Sequence, residues 1–213
     1  MISGTIETIG MVLISTSLAY VLGIPMGIIL YITSKDGLCE QVVVNHVLGT
    51  IVNFLRAVPF IILLIAISPF TRLVVGTTIG MKAIIVPLFI SAAPFVGRMV
   101  ESSLKEIDAG VIEAAQAMGS SPMQIIVKVL LPEAKPSLIL GAVITCTTIL
   151  GYSAMSGFVG GGGLGAIAVQ YGYYKYKYGL MIITVILLVA LVQVFQAVGT
   201  RIAKKTDKRI RNN

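Results

Sequence analysis

His46 is the only histidine in this 213-residue chain, and Cys39 and Cys146 are the only cysteines. One histidine cannot furnish an HExxH metal site, and it falls in a polar connector where no Ser/His/Asp set can be argued around it. The two cysteines lack CxxC spacing, so neither a disulfide framework nor a metal site is indicated. They read as small buried hydrophobes. The run Gly160-Gly161-Gly162-Gly163 shares only its glycines with a phosphate loop. It lacks the lysine of GxxxxGK[ST] that reaches the phosphates, and a gate or tight turn is the better use of it. These residues do not assemble an enzyme active site.

The chemistry-bearing residues concentrate instead in one segment, 98–135. It holds five of the nine acids: Glu101, Glu106, Asp108, Glu113 and Glu133. Within it Val111, Ala114, Ala115 and Met118 recur at helical spacing. Asp108 suits the start of that helix, and Glu113 lies in its early turns, where the helix dipole favours negative charge. Gly119 suits the left-handed residue that ends a helix. Ser121, Pro122 and Gln124 suit the N-cap, first position and capping-box partner of the next. The spacing predicts two short helices meeting at a sharp elbow, 108–118 and 122–131, with Pro132 and Pro136 breaking the chain again afterwards. Ile125, Ile126, Val129 and Leu130 share a side that can pack back on the rest of the protein. An interfacial helix lying on lipid is one reading. The segment 108–118 is acidic, alanine-rich and short rather than basic with bulky anchors, which fits the groove of another protein better.

The elements that must carry this segment are set by composition. The chain is 56% hydrophobic and only 12% charged, against about 25% charged in soluble domains. Too little polar surface remains to face water on all sides, so the solvent is lipid. Apolar stretches at 9–32, 51–70, 83–99, 137–155 and 180–198 are each near the length of a membrane helix. The fold class is therefore all-α: a polytopic membrane protein with five transmembrane helices in one domain, 1–213, and a polar insert before the fourth span. The first apolar stretch has no basic flank or clear cleavage site and reads as a retained span.

Net charge is +7, but six of the sixteen bases are Arg201, Lys204, Lys205, Lys208, Arg209 and Arg211. Such a tail after an apolar helix is a cytoplasmic topology anchor, and nucleic-acid binding is not indicated. With the tail inside, twelve bases fall on the cytoplasmic side. Arg72, Lys82, Lys175 and Lys177 fall outside. This orientation puts the N-terminus outside and the insert in the cytoplasm.

The span interiors contain no Asp, Glu, Lys, Arg or His. Arg56 is the nearest case, near the start of the second stretch, where it can snorkel to the interface. Proton-coupled carriers need ionisable groups at membrane depth. If the chain moves a solute uphill, the energy enters from outside the spans.

Glu113-Ala114-Ala115, Gly119, Leu131 and Pro132 match the spacing of the EAA loop of ABC-importer permeases, with Val129 where the family usually has isoleucine. The chain as a whole resembles the methionine-importer permeases. The supporting stretches are Arg56-Ala57-Val58-Pro59-Phe60-Ile61-Ile62, Pro69-Phe70-Thr71-Arg72, Ala92-Ala93-Pro94-Phe95, Gly151-Tyr152-Ser153-Ala154-Met155 and Gly162-Gly163-Leu164-Gly165. The resemblance implies a homodimer in the inner membrane with the pathway along its axis. It implies two cytoplasmic ATPase subunits that bind the ATP and Mg, leaving no cofactor on this chain. A separate binding protein would deliver D- or L-methionine from outside. Glu113, Ala114, Ala115, Met118, Gly119, Leu131 and Pro132 would then couple the permease to the ATPase, with Ala114 and Ala115 small so that the helix seats closely.

Tyr152, Ser153, Met155 and Gly157, at the outer end of the fourth span, are candidates for the gate, with ordinary helix packing as the alternative. Tyr171, Tyr173, Tyr174, Tyr176 and Tyr178 interleave with Lys175 and Lys177. They suit an aromatic belt at the outer interface or a contact with the binding protein. Two other functions stay open on sequence: an ABC permease for another solute, such as a different amino acid or a phosphonate, and a passive channel or scaffold subunit.

Overall fold

Ser15, Ala19, Gly23 and Gly27 recur at every fourth position and so share one face of a helix. In the structure, a computed structural model describing residues 1–206, that helix is α1 (Ile2–Ile32). Its small-residue face is buried on α5 (Met81–Lys105), the most extensive helix pairing in the bundle. A Cβ on Gly23 would lie 2.5 Å from the Val96 side chain, and one on Gly27 would lie 2.5 Å from the Gly97 carbonyl oxygen. Only glycine allows this approach. Helices in lipid gain their contact this way, because hydrocarbon solvates apolar side chains as well as a protein core does.

α8 (Leu131–Met155) packs on both α1 and α5. The Tyr20 hydroxyl donates to the Leu138 carbonyl oxygen at 2.9 Å, tying α1 to α8. The Ser103 and Ser137 hydroxyls, 2.8 Å apart, tie α5 to α8. α10 (Tyr178–Thr206) lies outside α8 with only Thr184 and Ala203 buried. Lys208, Arg209 and Arg211 of the expected anchor lie outside the described residues.

Among the described residues four helices are each long and apolar enough to cross a membrane, α1, α5, α10 and the continuous run containing α8, and one bent helix pair makes a fifth when counted as a single broken span. The expected second span is not one helix. α2 (Val42–Ala57) and α3 (Phe60–Ala66) are bent by 103° at Val58-Pro59, and α4 (Ser68–Val75) follows. Pro59 has no N–H to continue the ladder and holds Val58 in an extended conformation. The helix also begins nine residues before the expected start at 51. Asn45 is no breaker there, because its amide donates to the Leu30 carbonyl oxygen at 2.6 Å and to the Thr33 hydroxyl at 3.2 Å.

A second expectation is corrected after the elbow. Pro132 and Pro136 do not break the chain. α7 (Pro122–Ile125) runs through a π turn at Ile126–Leu130 directly into α8. In the π turn the Leu131 N–H bonds back to the Ile126 carbonyl oxygen. The wider turn absorbs the register change at the proline-bearing start of α8.

Candidate functional site

The elbow is built from local chemistry. The Asp108 carboxylate accepts the Gly110 N–H at 2.7 Å and starts α6 (Ala109–Ala117). At its far end the Gly119 N–H donates to the Gln116 carbonyl oxygen at 2.9 Å and the Ser120 N–H to that of Ala115 at 3.1 Å. This Schellman pair requires a left-handed residue, and Gly119 has φ of 78°. Ser121 and Gln124 then form the reciprocal capping box, with Gln124 Oε1 accepting the Ser121 N–H at 2.8 Å and Ser121 Oγ accepting the Gln124 N–H at 3.4 Å. Caps at every end leave the elbow few soft joints.

The apolar stripe of α6 is divided. Ala115 is buried and Ile112 half-buried, both turned to the chain's own bundle. The small size of Ala115 lets α6 lie close to the bundle. Val111, Ala114 and Met118 point away, with Met118 79% exposed, and Glu113 is exposed beside them. Ile125, Ile126 and Leu130 are buried in the bundle core, which fixes α7 and the π turn to it. Leu131 packs on that core and Pro132 is exposed.

Arg98, Glu101 and Lys105 do not belong to a polar insert, as expected, but to the last turns of α5. Buried Glu101 accepts from Arg98 Nη1 and Lys105 Nζ, both at 2.7 Å. Arg98 Nη2 also donates to the Gly49 carbonyl oxygen at 3.1 Å, clamping α5 to α2. The clamp holds the end of α5 from which Ile107, itself buried, leads into α6.

The gate candidates separate into two pairs. Ser153 is buried and its hydroxyl donates to the Leu150 carbonyl oxygen at 2.7 Å. Gly157 is buried against the backbone of Gly165. Both serve packing inside the protomer. Met155 is 42% exposed. Tyr152 borders a cavity and stacks flat on Phe60, with ring centroids 4.7 Å apart. At the same end of the bundle, Glu7 of α1 accepts the Gly163 N–H at 2.8 Å and Thr8 accepts the Leu164 N–H at 2.9 Å. These cap α9 (Gly163–Ile167), and nothing in the local sequence signalled them because the partners are 156 residues apart. The tyrosines from Tyr171 to Tyr178 are exposed, with Lys175 Nζ 4.6 Å from the centre of the Tyr171 ring.

The structure also moves Arg56. It sits in the last turn of α2, about 21 Å along the axis from the first residue at 1.5 Å per residue. That places it beside the break before α3, inside the apolar helix pair rather than near its start. A cation in the last turn of a helix faces the partial negative charge of its carbonyl end. Pro59 was the signal in the sequence, since a proline two residues past Ala57 ends a helix rather than continuing a span.

Residues 23–211 match the family described as the binding-protein-dependent transport system inner membrane component. A probable D-methionine transport system permease protein of Vibrio cholerae is 48% identical over 98% of this chain and 93% of the relative. The D-methionine transport system permease protein of Escherichia coli K12 is 49% identical over 74% of this chain and 72% of its own. Among solved structures, a chain of the MetNI methionine ABC transporter in an inward-facing conformation aligns with a TM-score of 0.96 at 48% identity, covering 97% of this chain and 96% of that one. A chain of an amino acid ABC transporter crystallised with histidines aligns at 0.73 and 18% identity, covering 98% of this chain and 92% of that one, a likeness of fold alone.

Proposed function

The chain belongs to the binding-protein-dependent transport system inner membrane components, and from that membership and its likeness to methionine transport permeases we propose that it is the permease subunit of an ATP-binding-cassette importer that takes up methionine. Two copies form the pathway, a separate ATPase hydrolyses ATP, and a separate external protein delivers the cargo. The subunit itself carries no catalytic residue. It resides in the inner membrane, with α6 in the cytoplasm and the N-terminus outside.

The observation that carries this reading is the exposed face of α6. Val111, Ala114 and Met118 form an apolar patch beside Glu113 on a helix capped at both ends. An apolar face turned from its own bundle awaits a partner groove. Glu113 meets basic or dipolar groups there. When ATP draws the two ATPase subunits together, α6 moves with them. Its C-terminal elbow is rigid and α7 continues through the π turn into α8. Displacement at α6 is therefore delivered along α8 to Tyr152, and through the stacked ring to Phe60 and the broken span. α5, held by the Glu101 clamp and by its glycine contacts with α1, is the frame against which α8 moves.

The test is reconstitution. Vesicles holding the permease and its ATPase, supplied with the binding protein and ATP, accumulate labelled methionine. Accumulation without ATP, or none with all parts present, overturns the assignment. The same vesicles offered another amino acid or a phosphonate on its own binding protein decide between cargoes.

A further inference from the structure

Arg56 makes no hydrogen bond or ion pair among the described residues; its recorded contact is with the Phe95 ring, 5.9 Å from the centroid. An ionisable group carried within an apolar, membrane-spanning segment is costly and is kept facing a cavity or a partner. Arg56 does border a partly open cavity of ≈ 170 Å³, lined also by Phe60, Ser91, Phe95, Thr148 and Tyr152. The hydroxyl of Ser91 donates to the Leu88 carbonyl oxygen at 2.9 Å and that of Thr148 to the Ile144 carbonyl oxygen at 2.9 Å. With their protons committed to the helices, both oxygens offer only lone pairs to the cavity. The carbonyl end of α2, which carries partial negative charge, lies beside them.

The cavity thus pairs one fixed cation with a set of acceptors, against a wall of aromatic rings. We propose that it is a transit site for the cargo, in which Arg56 binds the carboxylate of a zwitterionic amino acid. The ammonium group lies against the oxygens of Ser91 and Thr148 and the carbonyl end of α2. The side chain rests on Phe60, Phe95 and Tyr152. A guanidinium binds a carboxylate through two parallel N–H bonds, and a thioether gains from contact with the rings. A phosphonate or other dianion fits poorly, because one cation cannot offset it and the hydroxyls present acceptors. The site sits on the break between α2 and α3, and Tyr152 belongs to α8, so movement of α8 changes its shape. The proposal rests on the methionine-import reading and adds to it a cargo contact within the permease.

The test uses the permease–ATPase complex in vesicles with the binding protein and the diazirine analogue photo-methionine as cargo. Irradiation during ATP turnover is expected to label permease peptides containing Phe60, Phe95 or Tyr152. Arg56→Gln is expected to lower both that labelling and uptake at least tenfold, with Arg56→Lys partly restoring them. Thr148→Val, a substitution of similar shape, lowers labelling several-fold and serves if the arginine variants fail to assemble with the ATPase. If wild-type complex takes up the analogue but labels only the binding protein, the site is wrong and the transport reading stands. The same holds if Arg56→Gln loses dimer assembly while the cavity peptides still label, since the partner copy is then the ligand of Arg56. If the complete wild-type system takes up nothing, the transport reading fails and the site with it.

Discussion

Tyr152 of α8 lies flat on Phe60 of α3, ring centroids 4.7 Å apart and planes within 4° of parallel. The contact joins the long helix that continues from the elbow to the first residue after the break in the second span. Phe60 is buried, 6% exposed, and Tyr152 is half-buried at the edge of the cavity. Phe60→Leu keeps an apolar side chain but removes the ring pairing. It is expected to cost about 1 kcal/mol, the typical value of such a pair, read as a lower unfolding midpoint in detergent, while Tyr152→Phe keeps the stack and stays near wild type in the same assay.

The frame of the bundle depends on the backbone approach of α1 to α5. Gly27→Val places side-chain atoms on the Gly97 carbonyl oxygen, which cannot move aside. Overpacking of this kind costs about 1–3 kcal/mol. Gly151→Ala, where an added Cβ meets nothing within 4 Å, is the control. Thermal unfolding of the purified protein separates the two: the first falls and the second does not.

The cap on α9 is a long-range bond with a buried donor. Thr8→Val preserves shape but leaves the Leu164 N–H without its acceptor. An orphaned buried donor costs about 1–3 kcal/mol. Faster amide exchange at Leu164 and a lower unfolding midpoint are the expected outcomes, whereas Thr5→Val, on the exposed hydroxyl bonded to the Met1 carbonyl oxygen, changes neither.

The elbow gives a prediction of coupling rather than stability. Gly119→Asp puts a side chain on a residue with φ of 78°, at a cost of about 1–2 kcal/mol, with open space around it. Glu113→Lys reverses the exposed charge beside the apolar face of α6. Both variants are expected to insert and dimerise normally but to lose methionine uptake in vesicles carrying intact ATPase. Uptake equal to wild type in either would remove the coupling role from that residue.

Much of this arrangement was legible in the sequence, for a physical reason. Asp108, Gly119, Ser121, Pro122 and Gln124 act on backbone groups within three or four residues, so their types and spacing suffice to place both ends of the elbow. The spans were legible as well, since lipid demands long apolar helices. The break at Pro59 was obscured because apolar residues dominate on both sides of it, before Ala57 and after Phe60, and solvent preference says nothing of helix direction. Asn45 and His46 hid the true start of α2, because the bonds from Asn45 to Leu30 and Thr33 cannot be inferred locally. Together these two effects put Arg56 near the start of a span in the sequence reading and in the last turn of α2, beside the break, in the structure. Pro132 and Pro136 looked like breakers only because the π turn ahead of them leaves no mark in residue type.

The coupling of α6 to an ATPase is the claim on which the rest depends, and a photo-crosslinking residue placed at Ala114 in intact cells tests it most directly. Ala114 is exposed in the protomer and faces away from its bundle. An adduct between this position and the ATPase subunit is expected, with none from the same residue placed at Ile183 on the exposed side of α10. An adduct of Ala114 with lipid alone, or with an extracytoplasmic protein, would contradict it.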